Sequence, residues 1–206
     1  MVRSRMEGEN TGHDWWHVDR VRRLALDIAA AEHTADQLVV ELAALMHDIS
    51  DWKFNGGDDR AGPRMAAEWL HSQGADGPTI ERVCRAIESV TFRGNGVRIV
   101  PSTLEGMIVQ DADRLDAIGA IGIARAFAYG GRAGREIFNP AEEPRLHRSF
   151  EEYKKSKSST INHFYEKLLL LKDIMNTETG RRLAQSRHDF IVEYLKRFRM
   201  EWEGKL

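Results

Sequence analysis

Apolar residues recur at helical spacing along nearly the whole chain. Val18, Val21, Leu24, Ala25 and Ile28 fall on one face of a 3.6-residue period. His17, four residues before Val21 and seven before Leu24, shares that inward face. Thr34-x-x-Gln37 has the form of a capping box and opens a helix that carries Leu38, Leu42 and Leu45 up to His47. The Asn-Gly-Gly-Asp-Asp stretch at 55–59 reads as a loop. A helix with Pro63 in its first turn then runs to about Ser72, and another follows Pro78 and includes Ile80, Val83, Ile87 and Val90. Between 91 and 100, the Gly94-Asn95-Gly96 turn signal with Val97, Ile99 and Val100 describes a loop, or a small hairpin. Ser102-x-x-Glu105 is a second capping box, starting a long apolar helix that stops near Gly130-Gly131. A polar crossing from Arg132 to about Glu143 leads to two closing amphipathic helices, Phe150 to Met175 and Thr177 to about Trp202. The pattern predicts an all-α protein with no internal repeat and no low-complexity tract.

The informative breaks in this pattern are polar. The apolar run Leu38 to Met46 ends in His47 and Asp48, with Asp51 three residues on. Imidazole and carboxylate groups at the end of a buried helix are costly to desolvate and need a partner, for which a cation is suited. Adjacent helical residues point about 100° apart, so His47 and Asp48 converge on one ion only where the helix ends, and Ile49-Ser50-Asp51 supplies that exit. His17 is a second piece. The third is Asp111-Ala112-Asp113-Arg114-Leu115-Asp116, whose two first aspartates face roughly opposite sides of one helix. The apolar register Leu104, Ile108, Leu115 and Ile118 turns Asp111 toward the core. Two imidazoles and two carboxylates suit one ion of Mn, Fe, Co, Ni or Zn better than Ca.

Composition narrows the class. The chain has 206 residues, 42% of them hydrophobic and 30% charged, as expected of one globular domain. Thirty basic against thirty-two acidic residues argues against a dedicated nucleic-acid binder, and no stable nucleic-acid complex is expected. The single cysteine, Cys84, excludes an intrachain disulfide and is read as core, which fits a reducing cytoplasm. No apolar run approaches a membrane span, and residues 1–10 lack the apolar core of a signal peptide.

His17 followed by Arg20-Val21, then His47-Asp48, then Ala112-Asp113-Arg114-Leu115-Asp116 resembles, in order and spacing, the HD-domain superfamily of metal-dependent phosphohydrolases. The dipeptide alone carries little, since His-Asp occurs three times, at 13–14, 47–48 and 188–189. The resemblance covers roughly residues 12 to 130. The runs His163-Phe164-Tyr165-Glu166-Lys167-Leu168 and Glu201-Trp202-Glu203-Gly204 are similar to a bacterial branch that includes nucleotide pyrophosphohydrolases. The polar N-terminus reads as a flexible tail over 1–11, and the resemblance implies an HD helical core over 12–131 and a C-terminal helical extension over 132–206, within one domain overall. It implies His17, His47, Asp48 and Asp113 as ligands of one divalent metal, Mn favoured, with Asp113 chosen because the ligand follows the alanine. The activity implied is hydrolysis of a phosphate ester or anhydride, of a nucleotide above all, by metal-activated water. A non-catalytic metal-containing sensor or nucleotide-binding module is the alternative.

Around that set, the resemblance places an acidic residue where Asp51 stands, to orient or deprotonate the attacking water; a loop-capping aspartate is the other reading. Lys53 and Arg93 stand in loops that follow the helices near the site, where cations bind phosphate oxygens or simply face solvent. Of Lys154, Lys155 and Lys157, a run that otherwise reads as a solvated face, the resemblance favours Lys157 for substrate. His13, four residues before His17, shares its face, and His163 enters from the resemblance only. Trp15 and Trp16 are read as core and rim packing, because stacking a base requires exposure. A Gly-x-Ser-x-Gly elbow and a Walker-type loop are both absent.

Overall fold

The computed structural model describes residues 1–6, 14–49, 60–90, 100–145 and 158–206. The described residues contain helices and turns and no strand, as the periodicity predicts. Val2–Arg5 is a single turn, α1, after which Met6 is buried. Then come α2 (Trp15–Ala31), α3 (Gln37–Met46), α4 (Ala61–Ser72), α5 (Gly77–Glu88), α6 (Leu104–Asp116), α7 (Gly119–Arg132), α8 (Thr160–Glu166), a 3-10 helix (Leu168–Ile174) and α9 (Glu178–Trp202). They form two compact units, one of the described residues up to 90 with 100–113, the other of those from 114 to 206. No helix among the described residues is long and apolar enough to cross a membrane.

In the first unit, α2 buries His17, Val18, Val21, Ala25, Ile28 and Ala29 on one stripe. That stripe meets α3, where Ala43 and Ala44 are small enough to admit a close neighbour, and α5 packs on both α3 and α4. Capping differs from the sequence reading at two helices. Helix α3 is capped by Asp36, not Thr34: its carboxylate accepts from the backbone N–H groups of Leu38 and Val39 at 3.0 and 3.3 Å. Asp36 prevails because it is also held in place. Arg82 donates to it at 2.8 Å and to Glu105 at 2.9 Å, while the Asp36 N–H donates to Glu105 at 3.2 Å. These bonds hold the Asp36 carboxyl below its ordinary value, the backbone N–H of Val39 first among the causes. At the start of α6 the hydroxyl accepting from Gly106 is that of Thr103, not Ser102.

The long helix expected from Ser102 to Gly130 is two. Helix α6 stops at Asp116, Ala117 and Ile118 close tight turns onto Arg114 and Leu115, and Gly119 restarts the chain at φ +76. Only glycine takes that backbone freely. A Cβ on Gly122 would collide with the Ala117 carbonyl oxygen, so the corner also needs its second glycine. The first closing helix is likewise interrupted. Ser159 caps α8 through the Asn162 N–H, and Lys167 at φ −139 separates α8 from the 3-10 helix. The second closing helix starts at Thr177 as expected, its hydroxyl accepting from Gly180 at 2.9 Å.

In the second unit α7, α8, α9 and the 3-10 helix pack together around Phe164, which is fully buried and lies among Phe127 and Tyr194 with ring centroids 5.9 and 6.2 Å away. The end of α6 is tied into this unit by charge-assisted bonds. Arg114 donates to the Ile174 carbonyl, Arg187 to the Leu115 carbonyl, and Arg125 to Asp116 at 2.8 Å.

Candidate metal centre

The site begins with two helix ends. Asp14 caps α2 by accepting from the His17 N–H at 2.9 Å, so His17 sits in a rigid first turn with its side chain fully buried. Helix α3 ends at Met46; His47 keeps helical dihedrals of −58° and −34°, and the Ile49 N–H bonds back to the Met46 carbonyl at 3.1 Å. The tightened exit lets two consecutive side chains aim at one place, which a regular helix forbids. One ligand atom each from His17, His47 and Asp48 then lies within 4.8 Å of the others.

The distances define a corner. His17 Nε2 is 3.3 Å from His47 Nε2, 3.3 Å from Asp48 Oδ2 and 3.5 Å from Asp113 Oδ1. His47 Nε2 is 3.6 Å from Asp48 Oδ2 and 3.9 Å from Asp113 Oδ1. His47 Nδ1 stands 2.8 Å from the Ala44 carbonyl oxygen. A carbonyl only accepts, so Nδ1 carries the proton, and in the neutral ring Nε2 turns its lone pair into the corner. A proton on His17 Nε2 serves only one of the three acceptors around it. A cation serves them together. Metal bonds of about 2 Å place neighbouring ligand atoms about 3 to 4 Å apart, the spacing found here, and nitrogen with carboxylate oxygen is the donor mixture of a first-row transition metal. The residues present fit such an ion.

Of the two aspartates on α6, Asp113 stands beside both imidazoles with its side chain 29% exposed. Asp111, two positions back, is fully buried, as the apolar register indicates. Asp51, Lys53, Arg93 and Lys157 lie outside the described residues, as does His13. His163 is half-buried on α8. Cys84 is half-buried rather than core; its Sγ faces the Pro63 carbonyl at 3.3 Å, and burial pushes the thiol up. Sequence reasoning missed the Ala44 carbonyl, a backbone atom with no side-chain signature. Its signal is positional: a histidine just past a helix end can reach the unsatisfied carbonyls of the last turn. It also missed the exposure of Trp16, at 59% the opposite of core packing.

The sequence and the fold have counterparts. A family model described as HD domain matches residues 15–118. The uncharacterized protein YpgQ of Bacillus subtilis (strain 168) is 38% identical over 208 residues, which span 98% of this chain and 91% of YpgQ. The crystal structure of YpgQ in complex with ADP superposes with a TM-score of 0.76 at 37% identity, over 97% of this chain and 95% of that one. A Lactobacillus plantarum protein of known structure gives a TM-score of 0.83 at 36% identity, covering 98% and 93% of the two chains. An HD-superfamily hydrolase from Bacillus thuringiensis gives 0.75 at 35% identity, with coverage of 98% and 93%.

Proposed function

The chain belongs to the HD domain family, and from that membership we propose that it is a metal-dependent phosphohydrolase that cleaves a phosphate ester or anhydride of a nucleotide. The observation that carries the reading is the corner at His17, where lone pairs and carboxylate oxygens face one another 3.3 to 3.9 Å apart. We assign His17, His47, Asp48 and Asp113 to one divalent transition metal, Mn favoured. When bound, such an ion polarises phosphoryl oxygen and raises the acidity of water.

The chain's own groups then have separate tasks. The Ala44 carbonyl holds the His47 N–H away from the corner, which keeps Nε2 available. Asp51 is assigned to orient the attacking water and accept its proton. Lys53, Arg93 and Lys157 are assigned to phosphate oxygens, offsetting the charge that develops there. Water attacks phosphorus, the bond to the leaving oxygen breaks, and no covalent enzyme intermediate forms. The nucleotide preference draws on YpgQ, which was crystallised with ADP. The lone cysteine fits work in a reducing cytoplasm.

The test is product identification. The protein is incubated with manganese and a panel of phosphomonoesters, cyclic nucleotides and nucleoside triphosphates in labelled water. Metal-dependent release of orthophosphate or pyrophosphate is expected, with the label in a phosphorus-containing product and loss of turnover on chelation. A panel with no metal-dependent turnover would replace the enzyme by a nucleotide-binding module.

A further inference from the structure

We propose that the indole of Trp16 is the surface on which the base of a bound nucleotide stacks, which makes Trp16 the residue that separates nucleotides from base-free phosphates. The inference rests on the nucleotide reading above and deepens it.

An exposed tryptophan alone is ordinary on a protein surface. Trp16 is set apart by its place and by what its neighbours do. It is 59% exposed, although the very next residue, His17, is fully buried at the metal corner. The adjacent Trp15 is half-buried and lies under the Arg3 guanidinium, 6.0 Å from its ring. Trp202, also exposed, stacks on Phe198 at 6.0 Å and meets Phe138 edge-on at 5.1 Å. Among the described residues, Trp16 has no ring or cation contact of this kind, so its face is available to a ligand.

The backbone beneath it is fixed. Trp16 lies between the Asp14 cap and the hydrogen-bonded body of α2, in the turn that carries His17. Side chains on a helix lean toward its N-terminus, so Trp16 and His17 reach the same end of α2, about 100° apart round the axis. A phosphate held at the buried corner directs its nucleoside outward, and Trp16 is the exposed aromatic on that turn. A tryptophan on a rigid turn has two torsions to immobilise, so stacking costs it little entropy. Every base has a π face. The platform therefore distinguishes nucleotides from pyrophosphate or sugar phosphates, and discriminates weakly between one base and another.

Calorimetry on the manganese-loaded full chain tests this on wild type, Trp16→Ala and Trp16→Phe, with the hydrolysis-resistant α,β-methylene forms of ADP and CDP and methylenediphosphonate standing for ADP, CDP and pyrophosphate. The alanine variant should bind ADP and CDP roughly tenfold more weakly or worse, the range of one lost base–aromatic stack. Pyrophosphate binding should stay within about twofold, and phenylalanine should restore most of the loss. Unchanged ADP affinity in Trp16→Ala, an equal loss of pyrophosphate, or a wild type that binds no ADP would each overturn the proposal. Binding is read without turnover, so the two readings fail separately. Trp16-dependent ADP binding without hydrolysis removes the enzyme and leaves the platform. Hydrolysis with a KM indifferent to Trp16→Ala does the reverse.

Discussion

Asp48 and Asp116 are both aspartates at the end of a helix, yet their surroundings differ in kind. Asp116 is buried and receives a 2.8 Å bond from Arg125. Other buried polar groups of its unit follow that pattern. Glu166 accepts from the Arg145 N–H at 3.0 Å and the Ser158 hydroxyl at 2.7 Å, and Asn162 donates to the Glu142 carbonyl at 3.1 Å. Around Asp48 the neighbours are imidazole nitrogens at 3.3 and 3.6 Å, which also face a second aspartate, Asp113. Where acceptor meets donor, a polar group is part of the packing. Where two imidazoles and two carboxylates crowd one corner, the donor set of a metal ion is assembled. The difference separates structural from functional burial more reliably than burial itself, since His17 and Asp111 are equally inaccessible.

The comparison breaks most sharply at the metal corner. His47→Ala and Asp113→Asn should lower metal affinity by more than the roughly 10 to 100-fold that loss of an outer partner costs, while Asp111→Asn should retain the ion. Elemental analysis after dialysis reads this directly. Manganese at 100 times its dissociation constant should stabilise the wild type by about 2.7 kcal/mol and leave His47→Ala unmoved. Metal loss in Asp111→Asn but not in Asp113→Asn would reverse the assignment on α6.

The Asp116–Arg125 pair should behave in the opposite manner. Arg125→Met alone removes the guanidinium from a buried carboxylate and should cost about 3 to 5 kcal/mol in urea unfolding. The double variant Arg125→Met/Asp116→Leu should recover most of it, because a buried ion pair can be exchanged for apolar bulk of similar volume. Metal content should not change in either. A double variant as damaged as the single would mean that Asp116 has a task beyond the pair.

The smallest effect belongs to the cap of α3. Asp36→Ala should cost about 1 kcal/mol. Because the folded-state pKa of Asp36 is lowered, its contribution is complete above the ordinary carboxylate range and is lost as pH falls through the folded value. The difference in Tm between wild type and variant should therefore shrink as pH falls below the ordinary carboxylate range. A difference that grows on acidification would contradict the sign.

Much of this was legible in advance, for identifiable reasons. Helical period survives in any sequence that buries one face; the end of α3 was conspicuous because ionisable groups rarely follow an apolar run without cause, and His17 because it shares the apolar face of α2. The burial of Asp111 was readable from register, and the approach of Asp113 to the imidazoles only from the resemblance. The corner between α6 and α7 was hidden because apolar residues continue across it: Ile118 and Ile123 are both buried. Its signature was the pair Gly119 and Gly122, which periodicity does not weigh. The start of α3 was ambiguous because Thr34 and Asp36 are both good caps. The choice was made by Arg82, 46 residues further along.

The hydrogen bond from His47 to the Ala44 carbonyl has an evolutionary side. In many sites a second side chain orients the ligand, and a single base change can delete it. Here the orienting atom belongs to the peptide backbone and is encoded by every codon except a stop. Tolerance at position 44 is therefore a matter of room, since Ala44 is fully buried, and the aim of His47 can drift only if the last turn of α3 is itself rebuilt.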